Sequence, residues 1–179
     1  MKTRTERILT AMRILAWVIF IGLCIRTGVL LYSCFISLFV NPAGAKDLYM
    51  ELDLSSLYNY SLQHYVIVVS MVTLISALKA LIFYLVIKIF LKINFVHPFN
   101  TSMVSLIFGI SYTALGLGTL ALVGTSYCRW LAEKGVDFPP MDQYVGGGAE
   151  FLFFAAVIFF IAQVFKRGIE IQTENELIV

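Results

Sequence analysis

The chain has 179 residues, 60% hydrophobic and 13% charged, with a formal net charge of +2. Soluble domains run near ~45–50% apolar and about 25% charged, so this composition excludes an ordinary soluble domain and names a bilayer as the solvent. The small positive charge lies along segment edges and gives no reason to expect direct binding of nucleic acid.

Four apolar segments predict an all-α protein, a four-helix transmembrane bundle in a single membrane domain. The helices are expected over about 14–40, 65–91, 104–127 and 146–167, with a tail over 168–179. The first run, Ile14–Val40, exceeds the ~20 residues a spanning helix needs and contains Arg26. Counted inward from Ile14, Arg26 lies about 18 Å deep, near the midplane, where a cation costs roughly 2.5–3.5 kcal/mol on insertion scales. Gly22, Arg26, Ser33 and Ser37 share one helical stripe, which turns Arg26 toward the bundle interior. The basic N-terminus, the apolar run and Ala43-Gly44-Ala45 imitate a signal peptide. The run is far longer than the ~7–15 residues of a cleaved apolar region, so it is read as a retained span.

Asn41-Pro42 and Gly44 stop this helix. Leu48–Tyr60 mixes Leu and Tyr with acids and is expected on the outer interface, with Ser55 or Ser56 capping the next helix. The second run, Tyr65–Leu91, contains Lys79, about 21 Å from Tyr65. Thr73, Ala77, Ala80 and Tyr84 form its small, polar face, and Lys79 projects about 100° or more away from it. The first three segments contain no Asp or Glu. The groups expected to satisfy the two cations are therefore Ser33, Ser37, Thr73, Ser76, Tyr112 and Gln163, or a lipid phosphate drawn inward. Arg26 and Lys79 are the candidate ligand-binding residues, suited to an anionic or polar group.

His97-Pro98 breaks the chain before the third span, which Asn100 or Thr101 is placed to cap. Ser111, Ala114, Gly118, Ala121 and Thr125 are spaced 3, 4, 3 and 4. They form a face of small residues for close helix approach, read as bundle core within one chain, with a homo-oligomer seam through helix 3 as the alternative. The last connection, with Pro139-Pro140 and Gly146-Gly147-Gly148, is the most irregular part.

Catalytic chemistry is not visible. Cys24, Cys34 and Cys128 make no C-x-x-C pair and are expected to be unpaired. His64 and His97 are predicted on opposite sides of the membrane, so no metal site and no Ser-His-acid set is assembled. The three glycines precede a membrane segment, which disfavours a nucleotide cradle. No cofactor is expected, and the chain is read as a non-enzyme.

Lys2, Arg4, Arg7, Arg13, Lys88, Lys92, Lys166 and Arg167 fall on one side, against Lys46, Arg129 and Lys134 on the other. The positive-inside rule then puts both termini in the cytoplasm of a multi-pass protein of the inner (plasma) membrane.

The segments "VFKRGIEIQTENELIV" at Val164–Val179 and "HPFNTSMV" at His97–Val104 resemble an uncharacterised bacterial family of small four-helix integral membrane proteins, classed as a domain of unknown function. Segment number and length agree along most of the chain. Members are often encoded beside a small helix-turn-helix regulator, so the resemblance implies a membrane partner or modulator of such a regulator. Lys166, Arg167, Glu170, Glu174 and Glu176 are the candidate partner-docking residues. The alternative is a small transporter or pore subunit for an anionic or polar solute, served by Arg26 and Lys79.

Overall fold

The computed structural model describes residues 4–92, 101–137 and 139–176, and all regular structure among them is helical. In chain order the elements are α1 (Arg4–Phe39), a 3-10 turn (Pro42–Lys46), α2 (Ser55–Tyr60), α3 (Leu62–Lys92), α4 (Thr101–Glu133), α5 (Asp142–Val145) and α6 (Gly148–Glu176). His97, Pro98 and Asn100, with most of the 94–103 connection, lie outside the described residues.

Four stretches are long and apolar enough to cross a membrane: Arg7–Phe39, Leu62–Lys92, Thr101–Glu133 and Asp142–Glu174. The expected all-α, four-span membrane fold is present. Each long helix runs past its apolar run. Backbone hydrogen bonds must stay internal in lipid, and the flanking Arg, Lys and Glu are themselves good helix formers, so nothing ends the helix at the polarity change.

The long helices pack in a row: α1 on α3, α3 on α4, and α4 on α6. Among the described residues α1 and α6 make no comparable contact. The register is set by a few close pairs. Thr27 Oγ1 of α1 donates to Ser76 Oγ of α3 at 2.8 Å. Nearer the 40–61 end, the Ser37 and Tyr65 hydroxyls lie 2.6 Å apart, and Ser37 Oγ also donates to the Cys34 carbonyl at 2.9 Å. A Cβ added to Gly109 would stand 3.5 Å from Leu85, and one added to Gly124 would stand 3.9 Å from Met71 Sδ. These pairs put Arg26, Ser76 and Gly118 at one level, near the middle of α3 and α4.

The small-residue face of α4 meets α6 and α5. Ser111, Ala114, Gly118 and Ala121 are buried, and Ser111 Oγ donates to the Ala155 carbonyl at 2.9 Å. At Gly118 the two helices nearly touch: a Cβ there would come within 2.9 Å of the Gly148 carbonyl oxygen. In lipid, where apolar side chains gain nothing by leaving solvent, such contact is what holds helices together.

α6 thus begins level with the middle of α4. The half of α4 beyond Gly118 is covered instead by Val136 and by the chain descending from Met141 to Val145. Val136, Met141, Tyr144 and Val145 are buried there, and Thr125 Oγ1 donates to the Val145 carbonyl at 3.4 Å. Gly147 (φ +86) makes the left-handed turn into α6 that an L side chain resists.

A second descending segment covers α1. Asn41 caps the 3-10 turn by accepting from Ala43 N at 2.9 Å, and Gly44 brings that turn to 3.4 Å from Ser37 N by the measure of an added Cβ. Leu48, Leu52, Leu54 and Leu57 are then fully buried in one core with Leu30, Tyr65, Val68 and Leu131. This segment was expected on the outer interface, and its leucines turn toward the helices. It packs inward because its leucines have a three-helix surface to bury against. The expected cap by Ser55 or Ser56 does not form at α2, which begins at Ser55; the Asp53 carboxylate accepts from Ser55 N at 2.8 Å and from Ser55 Oγ at 2.6 Å.

Candidate functional site

Where the two descending segments approach each other, they enclose Arg26. Its guanidinium carbon stands 5.5 Å from the Tyr49 ring centroid and 6.0 Å from that of Tyr144. Tyr49 belongs to the segment after α1 and Tyr144 to α5, so three separate stretches build the site. Each ring offers the cation a negative face, worth about 0.5–2 kcal/mol according to desolvation. Neither ring accepts a hydrogen bond from it. Nε of Arg26 is shielded from solvent and has no hydrogen-bond partner.

Of the side chains expected to satisfy the cations, three are engaged elsewhere, and Ser33, Tyr112 and Gln163 are not among the residues that line the cavity at Arg26. Ser76 takes the Thr27 hydroxyl, Ser37 pairs with Tyr65, and Thr73 Oγ1 donates to the Val69 carbonyl at 2.8 Å. Tyr112 stacks on Phe108 with ring centroids 6.1 Å apart, and Gln163 is exposed.

Arg26, Tyr49 and Tyr144 line a cavity of about 460 Å³ together with Met50, Glu51 and Gln143. Its wall is conformationally unusual. Met50 (φ 46) and Glu51 (φ 66) are consecutive left-handed residues, neither of them glycine. Such a conformation costs of order ~1–3 kcal/mol per residue and persists only where its surroundings impose it. Here the Tyr144 hydroxyl donates to the Met50 carbonyl at 2.8 Å, Asp53 N donates to the Glu51 carbonyl at 2.9 Å, and buried Leu48 and Leu52 anchor both flanks. Glu51 thereby lines the same cavity as the guanidinium, without an ion pair between them among the described residues.

Lys79 sits near the same level on the other side of α3. Its Nζ stands 5.5 Å from the Phe151 ring centroid of α6, and it is close enough to Arg26 for their charges to repel. It does not line the Arg26 cavity. Of the candidate docking residues, Arg167 is engaged along its own helix with Glu170 at 2.9 Å. Lys166 and Glu170 line a separate groove of about 540 Å³ between α4 and α6, with Val104, Phe108 and Ile169. Glu174 is exposed, and the side chain of Glu176 lies outside the described residues. Cys24, Cys34 and Cys128 are free. Tyr49, Glu51 and Tyr144 had no sequence signal as a site; only their joint approach to Arg26 makes them one.

A family model described as "Protein of unknown function (DUF2975)" matches residues 50–179. The chain belongs to the DUF2975 family. The match takes in α3, α4 and α6, and with them Glu51, Gln143 and Tyr144 of the cavity, Lys79, and the tail residues Lys166 to Glu176; Arg26 and Tyr49 precede it. No curated protein and no solved structure matches the chain. The DUF2975 chain is a multi-pass membrane protein by its four apolar helices.

Proposed function

We propose that this DUF2975 protein is a non-catalytic protein of the inner (plasma) membrane, with both termini in the cytoplasm, that acts by binding a cytoplasmic partner. The observation that carries the reading is the length of α6. Its 29 residues are unbroken from Gly148 to Glu176, about 44 Å of helix against a hydrocarbon core of ~30 Å. The excess is the polar end, where Lys166, Arg167, Glu170 and Glu174 stand on a rigid helix rather than on a loose tail. A preformed helix spares a partner the ordering entropy that a disordered tail would cost. The family resemblance suggests a small helix-turn-helix regulator as that partner.

The test is co-purification of the full chain with a small helix-turn-helix regulator of the kind the family resemblance implies. Deleting 168–179, or reversing charge with Arg167→Glu and Glu170→Arg singly, is expected to reduce recovery, and the double reversal to restore part of it. Full recovery after the deletion refutes the role of the helix end.

The second reading is a transporter or pore subunit for an anionic or polar solute, favoured by Arg26 and Lys79 near one level. It ranks lower because helices packed in a row enclose no lumen within one chain, so a pore needs further copies. The small-residue face of α4 lies against α6, so such copies would meet elsewhere. Solute flux in liposomes that falls in Lys79→Met would favour this reading over the first.

A further inference from the structure

Arg26 presents five N–H donors in a planar fork, and among the described residues no hydrogen bond or ion pair takes any of them. The Tyr49 and Tyr144 rings hold the guanidinium in position while leaving those donors free. A shielded Nε–H without an acceptor is costly. The natural complement of the guanidinium is an oxyanion that receives two parallel bonds, a carboxylate or a phosphate. Glu51 lines the same cavity and supplies a negative charge there, its backbone held by two left-handed residues and the Tyr144–Met50 hydrogen bond. A cavity with a cationic residue, an anionic residue and tyrosine walls fits a molecule that carries both charges a few bonds apart.

The depth of the cavity narrows the source. Glu51, Gln143, Asp142 and Glu150 are exposed, at or beyond the level of Arg26, and exposed carboxylates do not stand in hydrocarbon. Toward the termini, past Lys79 about one turn beyond Ser76, the next cations are Arg13 on α1, Lys88 and Lys92 on α3 and Lys166 on α6. From Arg26 to Arg13 is about 20 Å and from Glu150 to Lys166 about 24 Å along the helices. Snorkelling side chains and local thinning accommodate that band to a core of ~30 Å. The exposed carboxylates open the cavity to a headgroup or to a solute, while Leu31, Phe35 and Phe39 of α1 are also exposed beyond Arg26.

We propose that the Arg26 cavity binds a zwitterionic aminoalkyl phosphate, with the phosphate on Arg26 and the ammonium on Glu51. This is the chemistry of phosphoethanolamine, presented by a lipid of the adjoining leaflet or by a free phosphomonoester. The assignment stands apart from any cytoplasmic partner, since the site is level with the start of α6, at the opposite end of that helix from Lys166 to Glu174.

The experiment uses the full chain in detergent. Native mass spectrometry counts retained phosphatidylethanolamine against phosphatidylglycerol of the same acyl chains, and a thermal-shift titration adds soluble phosphoethanolamine. Wild type is expected to prefer phosphatidylethanolamine. Arg26→Gln should weaken binding of both lipids by about tenfold or more, as expected for losing charged hydrogen bonds. Arg26→Lys keeps the charge, loses the fork, and should fall between. Glu51→Gln, at the exposed rim, should leave phosphatidylglycerol binding in place and abolish the preference. Stabilisation of wild type by soluble phosphoethanolamine as strong as by the lipid would assign the free solute as source. Equal retention of both lipids by wild type and Glu51→Gln, or unchanged phosphatidylethanolamine binding in Arg26→Lys and Arg26→Gln, overturns the proposal. Should Arg26→Gln fail to fold, the Lys and Glu51 variants decide it.

Discussion

Gly118 of α4 and Gly148 of α6 meet with no room for a methyl group: a Cβ on Gly118 would stand 2.9 Å from the Gly148 carbonyl oxygen and 2.9 Å from Leu152 N. Both obstacles are backbone, which cannot swing aside as a side-chain tip can. The contact fixes where α6 starts along α4, and so fixes how far the segment before it descends toward Arg26.

Gly118→Ala is therefore expected to destabilise the protein by about 1–3 kcal/mol, the range for overpacking a tight contact. Gly116, two residues away on the same helix, has nothing within 4 Å of an added Cβ. Gly116→Ala should be neutral, or stabilising by about 0.5–1 kcal/mol through lost backbone freedom in the unfolded chain. Thermal unfolding of both variants in detergent checks this; indistinguishable midpoints would contradict the crossing described.

The Asp53 carboxyl is held below the usual carboxylate range by its side-chain and backbone hydrogen bonds with Ser55, with Lys46 adding to the effect. A depressed folded pKa means that the unfolded state binds the proton first, so stability rises with pH across the interval. The contribution is complete above the unfolded value of about 3.9 and is lost as pH falls through the lower folded value. Asp53→Asn should accordingly be less stable than wild type at neutral pH, with the gap constant down to about pH 5 and shrinking below about pH 4. Unfolding midpoints of the two proteins across acidic pH measure it; a gap that does not shrink in acid would mean that Asp53 acts through shape rather than charge.

Lys79 has no hydrogen bond or ion pair among the described residues, faces only the Phe151 ring, and shares its region of the molecule with Arg26. A half-buried cation repelled by a neighbour and without an acceptor does not support the fold. Lys79→Met, similar in volume, is expected to leave stability unchanged or raise it by up to about 2 kcal/mol. A clear loss of thermal stability in Lys79→Met would reveal a structural role for the ammonium group.

Much of this architecture is legible in the sequence because lipid imposes a uniform rule. Apolar runs of sufficient length must be helices, so the four spans were readable from Ile14–Val40, Tyr65–Leu91, Val104–Tyr127 and the run after Gly148. The stripe Ser111, Ala114, Gly118, Ala121 and Thr125 identified a packing face from spacing alone, because helical periodicity is local. The inward packing of the 48–60 segment was not legible, for the opposite reason. Its mixture of Leu, Tyr and acids suits an interface as well as a fold-back, and which one forms depends on whether neighbouring helices leave its leucines a surface.

The sequence by itself settled what is decided by composition and period: a helical membrane chain, its spans, and two cations, Arg26 and Lys79, inside apolar runs. The tertiary structure alone decided which groups meet them. Arg26 faces Tyr49, Glu51 and Tyr144 because two connections descend beside α1 and α4, and Lys79 faces Phe151 because the Gly118–Gly148 crossing sets the start of α6. The physical reason is one of range: hydrophobicity and helix period act between near neighbours in the chain, whereas the partners of a buried charge are chosen by the packing of segments far apart in it.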